Sequence, residues 1–275
     1  MTTNHNFPTN PATEEFADVP AKFYKYRSMA PDAAKWVERI VCHNEIHFAA
    51  AKSFNDPFDL RPVFSLLAPK AMQVKDFERL SKKFEPQLNR QIRRKEARQA
   101  VGNSLNSARR QATEEAIQEL HAQHITDQVG VLCVSTKRDD ILMWSHYADS
   151  HRGVCLEFDG HFAFMAHAQK VQYTHKRSPI NVYVDSEEAA MKKALLTKAE
   201  QWAYEEEWRL IRYEHGPGSV QFRSINLTGI IIGAAAPPDT VALIEQWVHA
   251  RAEPVNIYQA TLNKTDYAVD IARRC

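Results

Sequence analysis

The chain has 275 residues, 44% hydrophobic and 25% charged, with a formal net charge of +1 at pH 7. This is the composition of an ordinary soluble globular protein, long enough for a substantial core. It excludes a bilayer-spanning helix, because no apolar run is long enough, and the near-zero charge gives no global pull toward a polyanion.

Residues 1–18 are polar and Pro-containing and lack the basic and apolar regions of a signal peptide, so they read as a loosely held tail on a cytoplasmic protein. A single domain is expected over 19–275. Cys42, Cys133, Cys155 and Cys275 are scattered and read as small buried hydrophobes in a reducing compartment. The twelve histidines form no H-E-x-x-H, and no metal site is expected.

The first strand is predicted at 22–28 (KFYKYRS), with Phe23, Lys25 and Arg27 on one face and Tyr24 and Tyr26 on the other. Pro31 opens a helix over 31–43, and a strand follows at 45–51. In KSFNDPFD the Asn55-Asp56-Pro57 run is turn chemistry. Phe54 and Phe58 flank it, which suggests a loop pinned to the core and presenting polar groups. Residues 69–126 are charged and rich in helix formers and read as an insertion of two or three helices, basic over 70–110.

The central stretch 129–160 reads as strand, helix, strand. Asp139 or Asp140 caps the helix, which would place Trp144, Tyr147 and His151 on one face, and Gly153 stops it. Those aromatics suit either core packing or the wall of a polar ligand pocket. A helix is predicted over 186–204. Beyond it, Glu205, Glu207 and Arg209 share a face if extended, whereas Glu205 and Arg209 form an i, i+4 pair if helical. GIIIG at 229–233 is a buried strand, 240–251 a helix, and strands are expected at 255–258 and 267–271. The interleaving favours an α+β fold with a mixed, largely antiparallel sheet.

Several blocks together resemble the bacterial domain-of-unknown-function 2971 family: FYKYRS, IHFAAAKSFNDPFD, LMWSHYADSHRGVCLEFD, YEEEWR and IIIGAAAPPD. That name implies no activity. The order of the same blocks is similar to the ADP-ribosyltransferase superfamily, whose members bind NAD in the cleft of a split sheet. The resemblance implies that Arg27 or Lys25 orients the dinucleotide and that Tyr26 or Tyr147 stacks on nicotinamide. Glu207 or Glu205 would then be catalytic, with Tyr147 beside it. Ser53, Asn55, Asp56, Trp144, His146, His151 and Arg209 complete the candidate cofactor-binding set. The family's Ser-Thr-Ser motif is absent, leaving Lys52-Ser53.

The reading that follows is an NAD-consuming, ADP-ribosyltransferase-like enzyme, of the kind found among toxins and phage-defence effectors. NAD would be its substrate, and a protein or nucleic-acid acceptor would dock at the basic helices. The alternative is a non-catalytic binding module with a pocket around Trp144 and Tyr147. A third reading is a metal-dependent hydrolase or nuclease using Asp56, Asp59, His146 and Glu157.

Overall fold

A computed structural model describes residues 19–103, 107–161, 163–213 and 215–274. The tail predicted at 1–18 and Cys275 lie outside the described residues. In chain order the first half forms β1 (Lys22–Arg27), α1 (Pro31–His43), β2 (Glu45–Ala50), β3 (Phe64–Ser65), α2 (Lys70–Phe84), α3 (Arg90–Asn103), α4 (Ser107–Gln128), β4 (Val129–Ser135), α5 (Ile141–Tyr147) and β5 (Val154–Asp159). The second half adds β6 (Gln169–Lys170), β7 (Gln172–Thr174), β8 (Ile180–Asn181), α6 (Glu187–Leu195), β9 (Thr197–Ala199), β10 (Glu207–Tyr213), β11 (Gly218–Gln221), β12 (Leu227–Ile232), α7 (Pro238–His249), β13 (Asn256–Leu262) and β14 (Val269–Arg273). No helix among the described residues is long and apolar enough to cross a membrane.

Two compact units emerge. The first holds residues up to 54, 126–173 and 200 onward; the second holds 55–125 and 174–199. The helices expected within 69–126 are α2, α3 and α4. The segment 174–199 joins them in the second unit.

The first unit is built on a mixed sheet of order β11-β2-β4-β1-β5-β12-β13-β14, with β10 on β4 and β6 on β10. Its β12–β13 pair is parallel and its other registered pairs are antiparallel. The fold is α+β. Alternation explains how both faces are covered. Phe23, Leu156, Phe158, Leu132, Val134, Leu210, Ile230 and Ile232 turn into one core with Val37, Ile40 and Val41 of α1 and Ile244 of α7. Tyr24, Tyr26, Cys155 and Ile231 turn into a second core with Met143 and Trp144 of α5. A strand covered on both faces reads as a continuous apolar run, as GIIIG does.

One junction in this sheet is thin. β1 pairs with β5 along its whole length, from Lys22↔Asp159 to Arg27↔Val154. It meets β4 at the single registered pair Tyr24↔Ser135. β4 is otherwise held by β10 over seven positions, Ser135 included, and by β2 at Ala49 and Ala50. The sheet therefore splits between β1 and β4.

Two local expectations need correction. The central helix ends at Tyr147, so His151 is not on its face. Asp149, Ser150 and His151 all take positive φ (50°, 53° and 66°). The helix read over 186–204 stops at Leu195 and gives way to β9 and a 3-10 segment, Glu200–Glu205. The two-residue β3 and the strand β11 were not foreseen, being too short or too polar to show a period.

The run of positive φ is held by close backbone approach. Gly153 N–H donates to Ala148 O at 2.8 Å, Gly233 N–H to Gly153 O at 2.9 Å, and Ala235 N–H to His151 O at 2.9 Å. A Cβ on Gly153 would collide with the carbonyl oxygen of Arg27. Gly153→Ala should therefore cost about 1–3 kcal/mol through overpacking of backbone on backbone. Urea unfolding should show a lower midpoint at unchanged slope; an unaltered midpoint would refute the tight fit.

Candidate functional site

Ser135 stands at the junction where the sheet splits. Its hydroxyl donates to Glu205 O at 2.5 Å and accepts from Lys137 N–H at 2.9 Å. The register Glu207↔Ser135 and Arg209↔Cys133 then sets the polar face of β10 beside that of β4. Trp208 and Leu210 alternate with these residues and pack on the first core. Glu207 and Arg209 are 3% and 0% exposed. They form a two-pronged ion pair, Nε to Oε1 at 2.7 Å and Nη2 to Oε2 at 3.1 Å. The Arg209 guanidinium also lies 5.7 Å from the centroid of the Phe54 ring. The extended alternative for Glu207 and Arg209 is thus the one observed, while Glu205 belongs to the preceding 3-10 turn.

Glu206 separates the two buried carboxylates and takes φ +41°, a conformation that costs a β-substituted residue on the order of 1 kcal/mol. It is held there by Thr136 Oγ1 at 2.5 Å and by Lys137 Nζ at 3.1 Å. The Thr136 hydroxyl, then the Lys137 ammonium, hold its carboxyl below the usual range. The turn directs Glu205, 3% exposed, toward α5, where its Oε1 accepts from the Tyr147 hydroxyl at 2.6 Å. One position earlier, His146 Nδ1 lies 2.8 Å from the Tyr204 hydroxyl. The rings of His146, Trp202 and Tyr204 stand 6.0–6.4 Å apart beside this pair.

The β1 side of the split carries cations. Lys25 Nζ reaches across to Cys133 O at 2.7 Å. Its pKa is pushed down to about 7, chiefly by burial and then by the Arg27 charge, with Cys133 and Glu207 acting the other way. Burial likewise lowers Arg27 to about 10, opposed by Cys133. The Arg27 Nε is buried without a hydrogen-bond partner, and no ion pair reaches its guanidinium among the described residues. Burial, then Glu207, raises the Cys133 thiol well above its ordinary value. Lys25 of β1 and Glu207 and Arg209 of β10 all act electrostatically on Cys133 of β4, the strand between them.

Other candidate residues sit elsewhere. Tyr26 is core: its ring meets Trp144 edge-on at 5.1 Å and its hydroxyl donates to Lys137 O at 2.9 Å. That position removes it as a stacking platform. Trp144 is wholly buried, its Nε1 donating to Arg138 O at 3.0 Å. His151 stacks on Trp144 at 6.1 Å and lies 3.3 Å from Ser145 Oγ; burial lowers its pKa. Ser53 donates to Ala50 O within its own 3-10 turn. Asn55 and Asp56 belong to the second unit, where Asp56 Oδ1 accepts from Phe58 N–H at 2.8 Å as a turn residue. Glu157 is held by Thr228 at 2.7 Å, Tyr24 at 3.3 Å and Lys22 at 3.5 Å. No group of three His, Cys, Asp or Glu side chains that could hold a metal occurs among the described residues. Sequence reading missed Ser135, Thr136 and Cys133 at this site. Their signal is the register of β4 against β10, which no local pattern carries.

Fold and site define an α+β protein with a split sheet, a cationic strand on one side and two buried glutamates, Glu205 and Glu207, on the other. Residues 143–210 match the family model described as Protein of unknown function (DUF2971), which bears out the family resemblance read from MWSHYAD and YEEEWR. The matched span runs from within α5 into β10 and includes Tyr147, Glu205, Glu207 and Arg209. No curated protein and no solved structure matches the chain.

The depressed Lys25 gives a stability prediction. In the unfolded chain Lys25 titrates near 10.5 and in the folded protein near 7. Between these values the unfolded state binds more protons, so this group makes stability rise with pH across that window. Below about 7 both states are charged and its burial cost is present in full. Lys25→Met should be more stable than wild type below about pH 7, and that advantage should shrink as pH rises toward 10.5, measured by denaturant unfolding at each pH; a pH-independent difference would contradict the assignment.

Proposed function

We propose that this protein cleaves the nicotinamide–ribose bond of NAD, as a transferase or glycohydrolase of the ADP-ribosyltransferase kind. The observation that carries the reading is Arg27: an arginine at the split of the sheet, its Nε buried and its guanidinium without an acid partner among the described residues. A desolvated guanidinium of this kind suits a pyrophosphate, which it can bind through two parallel charge-assisted hydrogen bonds. Lys25, poised near neutrality, adds a second cationic group at the same edge.

The chemistry needs a carboxylate near the ribose as the C1′–N bond breaks. Nicotinamide leaves with the bonding pair, and C1′ becomes oxocarbenium-like before water or an acceptor attacks it. A preorganised anion stabilises that charge without reorganisation. Of the two candidate glutamates, Glu207 is committed to Arg209 on both oxygens, which suits a positioning role. Glu205 accepts from the Tyr147 hydroxyl, which orients its carboxylate on the α5 side of the turn. We therefore assign catalysis to Glu205, with Tyr147 orienting it.

A second reading rests on the ring cluster of exposed His146 with half-buried Trp202 and Tyr204, which suits a flat ligand held without reaction. The two readings separate in one assay. Purified protein should release nicotinamide from NAD, and Glu205→Gln should lower turnover by about a hundredfold or more while leaving unfolding unchanged in kind. Arg27→Gln should weaken binding of ADP. Saturable NAD binding without turnover favours the binding module, and NAD untouched and unbound, alone and with cell lysate, overturns both.

A further inference from the structure

The second unit carries a cavity of its own, of about 220 Å³. Its origin lies in the Asn-Asp-Pro-Phe-Asp turn. Asp56 Oδ1 accepts from Phe58 N–H, and Asp56 O from Asp59 N–H at 3.2 Å, which curls the chain tightly. Phe58 is thrown outward, 62% exposed, while Asp59 points in. Leu60 follows at φ +54° and is buried, so the chain turns again at once. β3 then pairs with β8, Phe64↔Ile180 and Ser65↔Asn181, and ties this turn to the segment that forms the opposite wall. The end of α6 and β9 closes the floor.

The charges around the cavity are unequal. At the floor Lys198 faces Asp59 at 3.8 Å, their side chains 5% and 1% exposed. Lys193 is engaged by Asp185 at 2.7 Å. Arg61 and Arg177, both lining the cavity, form no ion pair among the described residues. Arg177 is nonetheless oriented: its guanidinium lies 5.4 Å from the centroid of the Phe58 ring and donates to Arg61 O. One face of the guanidinium is thereby covered and its remaining N–H edge stays available in plane, the geometry that binds tetrahedral oxyanions. Thr174, Ser178 and Thr197 add hydroxyls to the wall.

We propose that this cavity binds a small phosphorylated sugar. Its phosphate is clamped by Arg61 and Arg177 at the mouth, and its hydroxyls lie over the Asp59–Lys198 pair. The volume is below the ~300–1,000 Å³ usual for drug-sized ligands, which suits a monosaccharide phosphate and excludes a whole dinucleotide. A carboxylate beside an ammonium provides both acceptors and donors for sugar hydroxyls. The proposal goes beyond the NAD reading and does not depend on it, because no residue is shared.

The test is calorimetric titration of the full chain with ribose 5-phosphate, with ribose and inorganic phosphate as separate arms. Ribose 5-phosphate should bind saturably, ribose should give no heat, and phosphate should bind at least tenfold more weakly than the sugar phosphate. Arg177→Gln and Arg61→Gln change exposed side chains, and each should weaken ribose 5-phosphate at least tenfold. Glu205→Gln should bind it as wild type does, which separates this site from the proposed NAD chemistry. Equal affinity for phosphate and ribose 5-phosphate would reject the sugar component. Unchanged binding in the Arg61→Gln/Arg177→Gln double variant, or no binding up to millimolar ligand, would overturn the site.

Discussion

Arg209 carries a permanent charge with no solvent around it, and the candidate site is arranged by how that charge is neutralised. Glu207, two residues earlier on the same strand, meets it through two hydrogen bonds. Removing one partner of such a pair typically costs about 3–5 kcal/mol, because the other is left buried and uncompensated. β10 is therefore pinned in register against β4, and every neighbouring polar contact depends on that register. Ser135 can reach Glu205 O, and Thr136 and Lys137 can reach the Glu206 carboxylate, because Glu207 lies opposite Ser135.

The same register accounts for the strained Glu206. Glu205 and Glu207 are both buried but are directed to different partners, Tyr147 and Arg209. A chain alternating regularly would keep positions 205 and 207 on one face. The positive φ between them breaks that alternation, and the hydroxyl and ammonium on the Glu206 carboxylate offset the cost. One buried glutamate is thereby paired with Arg209, and the other is oriented by the Tyr147 hydroxyl.

On the far edge, β1 departs from β4 after Tyr24↔Ser135. Between separated strands the backbone loses its ladder partner, and here a side chain replaces it: Lys25 Nζ spans to Cys133 O. Cations thus gather where the sheet opens. Burial costs their charged forms, and Lys25 also feels the Arg27 charge, which is why Lys25 falls to about 7 while Arg27, lowered to about 10, stays ionised at neutral pH.

The elements with strong periods were legible in the chain itself. Alternation marked β1 and β5, the Pro31 start and apolar stripe marked α1, and the continuous apolar run marked β12. Asp140 and Ser186 acted as caps, each accepting from a backbone N–H three residues on. Composition and capping act over a few residues, so a sequence carries them. What it could not carry was where helices yield to tertiary demands. His151 left the α5 face because backbone contacts of Gly153 and Gly233 hold residues 149–151 in the left-handed region, and α6 ended early where β9 begins. The site residues follow the same division. Glu205, Glu207, Arg209, Lys25, Arg27 and Tyr147 stood out as unusual types in unusual places. Which glutamate is tied to arginine and which to tyrosine, that Tyr26 is core, and that Ser135 joins the two edges were decided only by the register of β10 on β4 and the opening beside β1. Those are contacts between residues some 70 and 110 positions apart, whose free energy no local pattern records.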